Sequence, residues 1–243
     1  MFLWYDPLVQ QNLSASPDPD VAAAAALFAE PARAAILYAL LGGGELPASE
    51  LAFRASASPQ AASAHLAKLV NGGLLAVRAA GRQKFFRLAS GEVGRAMEAL
   101  AALAAPVRVR ALAQDSAMRR LREARSCYDH LAGRVGVAIT DGLTERGLVR
   151  RTGNAFAVTA AGARFFGALG IDLEPLRERH RSFARACMDW TERRPHVAGA
   201  LGAALLQRFL EEGWFERAAC DRALRVTVSG RRNLSRRFDV AFP

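Results

Sequence analysis

The sequence has no long hydrophobic run, few cysteines and none of the common enzyme motifs. No apolar stretch approaches the roughly 18–20 residues that a membrane-spanning helix needs, and the first residues, M-F-L-W-Y-D-P, lack the basic segment and cleavage site of a signal peptide. We therefore expect a cytoplasmic protein with no membrane partner, whose three cysteines are reduced. There is also no P-loop, no G-x-S-x-G, no H-E-x-x-H and no G-x-G-x-x-G that opens a helix after a strand. These absences favour a protein that is not an enzyme.

Acidic residues are missing from one stretch in the first half of the chain. Between Glu50 and Glu92 there is none, while the same stretch contains Arg54, Lys68, Arg78, Arg82, Lys84 and Arg87. The 243-residue chain carries a formal net charge of +10, which favours an anionic partner. A solvated surface is the plain alternative for a run of one sign.

The segment from Ser58 to Leu88 predicts a short helix followed by a basic hairpin. Ser58 is a suitable N-cap, Pro59 fits the first turn of a helix, and N-G-G at 71–73 ends it. A basic turn at 79–82 then joins strands over 74–78 and 83–88. A helix with a small, polar exposed face beside such a hairpin suits a DNA groove and its phosphates.

Residues 21–105 resemble the winged helix-turn-helix domain of the ArsR family of bacterial repressors. The matching pieces, in order, are P-A-R-A-A-I-L-Y-A-L-L at 31–41, S-E-L-A at 49–52, S-x-H-L-x-K-L at 63–69, G-G-L-L at 72–75 and G-R-Q-K-F-F-R-L at 81–88. The resemblance implies a homodimer that binds double-stranded DNA, with the helix over 91–104 at the dimer interface; packing of that helix on its own domain is the alternative. One departure is Ala64, which stands where the family often has an arginine that contacts a phosphate or a base.

Eight side chains are expected to face DNA. They are Gln60, Ser63, His65 and Lys68 on the helix, and Arg78, Arg82, Lys84 and Arg87 on the wing. Glutamine can pair bidentately with adenine, and the cationic groups can neutralise phosphates.

The chain divides into an N-terminal arm (1–20), the winged helix-turn-helix domain (21–105), a linker (106–115) and a C-terminal effector or dimerisation domain (116–243). Residues 118–146 predict one long or broken helix. The stretches 143–166 and 210–234 both repeat a helix end, a glycine, a strand, a polar turn, a strand and a helix opened near Thr-x-x-Gly. We therefore predict a mainly α fold with short β-hairpins (α+β), in which the winged domain precedes a helical domain with two winged-helix-like hairpins.

Metal ligands are missing from the positions that the ArsR resemblance implies. Sensors of that family carry paired cysteines in the first helix of the helix-turn-helix, or His and Asp on the helix after the wing. Here the first segment, A-S-E-L-A-F-R-A, has no cysteine, and the second, G-E-V-G-R-A-M-E-A-L, has no histidine. A different group of ligand-type side chains lies in the C-terminal half: Cys127, His130, Cys187, Asp189, Trp190 and His196.

Three interpretations of this group stay open, namely core packing, a pocket for a small-molecule effector, and a metal or thiol sensor. Cys127 and His130 are expected in a helix, three residues apart on one face, and 187–196 in a similar apolar helical context. Two thiols and two imidazoles, from Cys127, His130, Cys187 and His196, would satisfy tetrahedral zinc, yet a cysteine in an apolar helix is commonly a small core residue. We predict no cofactor and favour an organic or redox signal over a metal.

The function predicted from the sequence is that of a homodimeric DNA-binding repressor, released by a signal that the C-terminal half senses. The alternative is an effector-independent, architectural DNA-binding protein whose C-terminal half only dimerises.

Overall fold

The computed structural model describes residues 18–104, 112–218 and 221–242. Most of the predicted N-terminal arm and residues 106–111 of the predicted linker therefore lie outside the described residues. Asp20, at the end of the arm, caps the first helix by accepting a hydrogen bond from the Ala23 amide. Residues 112–115 of the predicted linker already belong to a helix.

Helices and a three-stranded antiparallel sheet form the first domain. The helices are α1 (Val21–Ala29), α2 (Pro31–Ala39), α3 (Ala48–Arg54), α4 (Pro59–Asn71) and α5 (Gly91–Leu103), with a 3-10 turn at Leu40–Gly42 after α2. The strands are β1 (Leu46–Pro47), β2 (Leu75–Ala80) and β3 (Gln83–Leu88), in the sheet order β1-β3-β2. The predicted helix-turn-helix and wing are confirmed. Strand β3 has the predicted bounds, whereas β2 extends two residues further than expected, because Ala80 pairs with Gln83 and leaves only two residues in the turn.

The apolar spacing of these helices explains the core of the first domain. Its fully buried side chains include Ile36, Leu37, Leu40, Leu41, Leu66, Leu69, Phe86 and Leu88. Each buried side chain of this size contributes about 1.5–3 kcal/mol. In contrast, α1 buries none of its residues completely. Helix α5 carries an apolar stripe that is buried at Val93 and Met97, whereas Leu100 is 46% and Leu103 84% exposed.

No single described helix is both long and apolar enough to cross a membrane; α1 together with Pro31–Gly42 has the length and composition, but an 83° bend separates the two parts.

The second domain contains short strands and helices in alternation. In chain order these are α6 (Leu112–Glu123), β4 (Arg125–Cys127), β5 (His130–Ala132), α7 (Gly133–Glu145), β6 (Val149–Thr152), β7 (Ala155–Val158), α8 (Ala160–Ala168), α9 (Glu174–Arg177), β8 (Arg185–Met188), β9 (Pro195–Ala198), α10 (Gly199–Glu211), β10 (Phe215–Arg217), β11 (Leu224–Val226) and α11 (Val228–Phe238). Strands β6-β7-β8-β9 form one antiparallel sheet, while β4-β5 and β10-β11 are separate hairpins. The core of this domain lies where α7 and α10 pack between these strands.

One order of elements occurs twice in the second domain: hairpin, helix, hairpin, helix. The first copy runs from β4 to α8 and the second from β8 to α11, with α9 between them. Both predicted winged-helix-like hairpins are present as β6–β7 and β10–β11. The Thr-x-x-Gly signal is also confirmed, because Thr159 and Thr227 cap α8 and α11 by accepting hydrogen bonds from the amides of Gly162 and Gly230.

The prediction of one long or broken helix over 118–146 is confirmed at the two ends of this segment, but it is wrong in the middle, where two strands form. Helix α6 ends at Glu123, and the hairpin β4–β5 follows before α7 begins at Gly133. Tyr128 has φ +59° and Gly133 has φ +82°, values outside the right-handed helical region. A Cβ atom on Gly133 would lie 2.8 Å from the Arg122 carbonyl oxygen. The start of α7 can therefore pack this closely against the end of α6 only because residue 133 is glycine.

The helical context expected for 187–196 is wrong as well. Cys187 lies on β8 and His196 on β9, where the two residues are direct partners in the antiparallel ladder. In both segments, packing against the rest of the domain selects strands where local spacing favours a helix.

Candidate nucleic-acid interface and buried cysteine–histidine cluster

Helix α4 separates its buried residues from its polar ones. The Ser58 hydroxyl caps the helix by accepting a hydrogen bond from the Ala61 amide at 3.2 Å. The apolar face, Ala62, Leu66 and Leu69, is buried in the first domain. Gln60, Ser63 and Lys68 lie on the exposed face, as the sequence predicts. Between Gln60 and Lys68 this face carries only small residues, Ser63, Ala64 and Ala67, among its exposed positions, so it can approach the edges of bases closely.

His65 does not share the exposed face with Gln60 and Ser63. Its ring is half-buried, and its Nδ1 atom lies 3.4 Å from a carboxylate oxygen of Glu30, at the N-terminus of α2. The structure therefore separates His65 from the other predicted DNA-facing residues of this helix.

The basic side chains of the wing differ in whether other residues already bind them. Arg82 is exposed in the turn and Lys84 follows it on β3. No hydrogen bond or ion pair holds either one within the described residues. Arg78 is engaged, because its Nε donates to Glu45 at 2.6 Å and its guanidinium lies 4.8 Å from the centre of the Phe85 ring.

Strand alternation places Lys84 and Arg87 on opposite faces of the wing. Lys84 is on the same face as Phe86, whereas Arg87 shares the other face with Phe85. Lys84, Phe53, Ser63 and Val77 line a groove of about 640 Å³ between α3, α4 and the wing. Of the wing cations on β3, Lys84 is therefore the one directed to the side of the exposed α4 face.

Four of the predicted ligand-type residues of the second domain converge in one buried cluster. Cys127 pairs with His130 across β4–β5, and Cys187 pairs with His196 across β8–β9. The two sulfur atoms are 3.9 Å apart, and the two imidazole rings stack with centroids 5.1 Å apart. One ligand atom from each residue lies within 4.8 Å of the other three. We name these four residues the Cys–His cluster.

Asp189 and Trp190 do not join the cluster but surround it. The Asp189 carboxylate accepts hydrogen bonds from Arg125 (2.9 Å), the Gly133 amide (2.7 Å) and Thr191. Burial alone would raise the pKa of Asp189, but Arg125 and these hydrogen bonds hold it well below its usual range. The Arg125 guanidinium in turn lies 4.7 Å from the centre of the Trp190 ring. The contacts of Arg125 with Asp189 and Trp190 therefore fix β4 against the loop after β8.

Each histidine of the cluster has a carboxylate on its outer side. His130 Nδ1 lies 3.2 Å from Asp129, which also accepts a hydrogen bond from Arg181 at 2.5 Å. His196 Nδ1 lies 3.9 Å from Asp189, too far for a hydrogen bond. The nitrogen atoms His130 Nε2, His196 Nδ1 and His196 Nε2 are buried without a hydrogen-bond partner among the described residues.

Negative charge in the cluster is favoured on one of the two thiols. Contact with the Cys127 thiol and with the two imidazoles outweighs burial and lowers the pKa of Cys187. The same contact, together with burial, raises the pKa of Cys127 well above its usual range. Burial lowers the pKa of His196, whereas at His130 the effect of burial is outweighed by Asp129 and Cys187, which raise the pKa. A thiolate beside imidazoles is a donor set for soft metals and a site of oxidation.

The hairpin that carries Cys127 and His130 also contacts the first domain. Tyr128, between them, packs against α5 so closely that a Cβ atom on Gly94 would lie 3.1 Å from its ring. A buried ion pair joins Arg222 to Glu98 of α5, and Arg222 also donates to the Tyr38 hydroxyl at 2.6 Å. The second domain thus contacts α5 at two points, Gly94 and Glu98, which lie one helical turn apart on the same face.

A second repeat in the sequence, which the hairpin pattern alone does not reveal, marks the cluster. R-S-C-Y-D-H-L-A-G-R-V-G at 125–136 matches R-A-C-M-D-W-T-E-R-R-P-H-V-A-G-A-L-G at 185–202, after six extra residues between the aspartate and the histidine. In each copy this segment precedes the winged-helix-like hairpin, so both belong to one longer repeat. Aligning the two copies backwards from those hairpins pairs Cys127 with Cys187 and His130 with His196.

Comparisons with known proteins agree with the first domain and extend over most of the chain. A family model described as a helix-turn-helix domain matches residues 28–78. The protein YdfF of Bacillus subtilis (strain 168), described as an uncharacterized HTH-type transcriptional regulator, is 44% identical over 214 residues, which cover 88% of this chain and 95% of YdfF.

Solved structures match about a third of the chain. HlyU from Vibrio cholerae N16961 is 35% identical, with 34% of this chain and 89% of HlyU covered and a TM-score of 0.32. The cadmium metal-sensor CMTR from Mycobacterium tuberculosis is 30% identical, with 37% of this chain and 96% of CMTR covered and a TM-score of 0.30.

Proposed function

Because the chain belongs to the helix-turn-helix transcriptional regulators, we propose that it is an ArsR-type homodimeric repressor that binds specific DNA sites in the cytoplasm. It releases these sites on a signal that its second domain senses. The observation that carries this proposal is the exposed face of α4. Gln60, Ser63 and Lys68 lie there, above a core that fixes the helix, with Lys84 of the wing directed to the same side. Polar side chains on a rigid helix beside phosphate-binding cations suit major-groove recognition.

The proposed dimer is supported by apolar surface that the other described residues of the chain leave uncovered. Leu100 and Leu103 are exposed at the end of α5, and α1 has no fully buried residue. Exposed leucines that continue a buried stripe on the same helix are typical of a surface that a partner covers. A second copy of the chain, related by two-fold symmetry, would bring two α4 helices to two half-sites.

The proposed signal sensing is supported by the contact between the second domain and α5. A change at the hairpin β4–β5 would be transmitted to α5 through Tyr128, which touches Gly94. Such a signal shifts DNA binding only if it favours one arrangement of α5 over another. On this proposal the protein acts by binding and not by catalysis.

The test is selection of binding sites from a randomised duplex library, followed by a transcription reporter that carries the selected site. The wild type should enrich a near-palindromic sequence and lower reporter transcription. Gln60→Ala should relax the base preference at one position per half-site, because a bidentate glutamine contact provides about 1–3 kcal/mol of discrimination. Gln207→Ala, which removes an exposed glutamine of α10, is the matched control and should enrich the same sequence as the wild type. Failure to enrich any sequence would contradict the proposal, and enrichment without repression would favour the architectural alternative.

A further inference from the structure

We propose that Cys127, His130, Cys187 and His196 bind one divalent metal ion, zinc by preference, as a closed tetrahedral site with two sulfur and two nitrogen ligands. The metal site stands on the geometry of the second domain, and it holds whether or not the chain represses transcription.

The positions of the donor atoms fit such a site. In a zinc site with Zn–S bonds of about 2.3 Å, tetrahedral angles place the two sulfurs about 3.8 Å apart. Here the Cys127 and Cys187 sulfurs are 3.9 Å apart, and all four donor atoms lie within 4.8 Å of one another. Tetrahedral zinc places sulfur and nitrogen ligands roughly 3.5 Å apart, so donor atoms at the 4.8 Å limit would have to move closer by about 1 Å on binding an ion.

The histidines carry an independent sign of a missing partner. His130 and His196 are buried, yet His130 Nε2 and both ring nitrogens of His196 have no hydrogen-bond partner among the described residues. Buried polar nitrogens are almost always paired in folded proteins. If the four residues were only core packing, apolar side chains would serve better than two imidazoles with unpaired nitrogens.

The layer around the cluster orients one histidine as a ligand. The Asp129 carboxylate faces His130 Nδ1 at 3.2 Å, and this leaves Nε2 as the ring nitrogen available to the cluster. A carboxylate behind a histidine is the usual arrangement around protein-bound zinc, where it fixes the ring and strengthens the donor. Asp129 is itself held by Arg181.

The donor set decides the class of metal. Thiolate and imidazole ligands favour Zn²⁺ and other soft or borderline ions, whereas Mg²⁺ and Ca²⁺ require oxygen ligands. Four protein ligands leave no open position, which is typical of a structural or sensing site and not of a catalytic one.

The fold gives this ion a definite mechanical role. Each copy of the internal repeat supplies one cysteine and one histidine from one hairpin, so the ion would fasten β4–β5 to β8–β9. Gly202 of α10 permits the close approach, because a Cβ atom there would lie 3.1 Å from His130 Cβ. The first of these hairpins also carries Tyr128, which rests on α5, so metal loss would loosen the second domain where it touches the first.

The proposal is tested with the full-length chain, purified under reducing conditions and reconstituted with Zn²⁺. Elemental analysis should find one zinc per chain, and zinc-edge X-ray absorption of the wild type should show two sulfur and two nitrogen neighbours. Cys127→Ser and His196→Gln should each lose the stoichiometric ion. Asp129→Asn, which keeps all four ligands, should weaken zinc affinity by about 10–100-fold in competition with a chromophoric chelator.

Two matched variants control for the loss of a thiol or an imidazole elsewhere. Cys220→Ser and the exposed His180→Gln should hold zinc as the wild type does. The proposal is overturned if the wild type holds no zinc after reconstitution, if absorption shows oxygen neighbours in place of sulfur, or if mass spectrometry finds Cys127 and Cys187 joined as a disulfide in that sample. DNA binding is measured on the same samples, so a metal-free protein that still selects an operator contradicts the metal site alone. A zinc protein that selects no DNA contradicts only the proposed function.

Discussion

Some side chains of α4 and the wing are buried and stabilise the first domain, whereas others are exposed to solvent. Leu66 and Leu69 are buried, whereas Ser63 and Lys68, on another side of the same helix, are exposed. The sequence predicts this division because helical spacing separates apolar from polar positions. It does not predict the position of His65, because the contact with Glu30 depends on how α4 crosses the N-terminus of α2.

The salt dependence of DNA binding should distinguish two basic residues of one strand. Lys84→Ala should lower the slope of log affinity against log salt by about one for each phosphate that the lysine no longer neutralises, hence by about two for a dimer. Arg87→Ala should leave the slope nearly unchanged, because Arg87 lies on the opposite face of β3. Fluorescence anisotropy on one operator over a salt series measures both. Equal slopes for Lys84→Ala and the wild type would show that Lys84 faces bulk solvent.

At the scale of elements, the hairpins of the second domain differ in how well the sequence predicts them. The hairpins β6–β7 and β10–β11 are marked by local signals, a glycine before the first strand and a threonine cap after the second. The hairpin β4–β5 lacks such signals and has Cys127 and His130 at a spacing that favours a helix. Its strands are selected by contacts far apart in the sequence, above all that of Arg125 with Asp189.

Removal of one partner of the Arg125–Asp189 pair is expected to destabilise the second domain strongly. Both side chains are completely buried, so Arg125→Leu would leave an uncompensated carboxylate and lower the free energy of unfolding by about 3–5 kcal/mol. Arg120→Leu removes the partly exposed pair with Asp221 and should cost less than about 1 kcal/mol. Urea denaturation of the two variants compares the costs. A similar small loss for both would mean that the buried pair does not fix β4.

Helix α5 connects the proposed dimer to the second domain. Leu103→Asp places a charge on its exposed apolar end and should weaken dimerisation by at least about tenfold, or ~1.4 kcal/mol. Val228→Asp changes another exposed apolar residue, 77% accessible at the start of α11, and should leave dimerisation unchanged. Sedimentation equilibrium over a concentration series gives both dissociation constants. If Leu103→Asp dimerises like the wild type, the partner does not cover this end of α5.

For the whole molecule, the sequence predicts the order of the domains and hairpins along the chain better than it predicts which of them pack together. The winged domain, the repeated hairpins and the α+β class follow from spacing, glycines and caps, which are local properties. The Cys–His cluster joins two hairpins that are far apart in the sequence, with Cys127 and Cys187 60 positions apart, and it forms only when the two copies of the repeat pack together. The residue types in the sequence suggest that the cluster could bind a metal, but only the three-dimensional structure shows that the four donor atoms lie close together.

The whole-molecule proposal requires two chains on one DNA duplex with both α4 helices in the major groove. Two-fold symmetry then spaces the half-sites about 34 Å, one helical turn, apart. The most direct measurement is hydroxyl-radical footprinting of the selected operator, combined with the mass of the complex in solution. We expect two protected patches centred about 10–10.5 base pairs apart, related by a dyad, in a complex of two chains per duplex. A single protected patch in a complex of one chain per duplex would contradict the account.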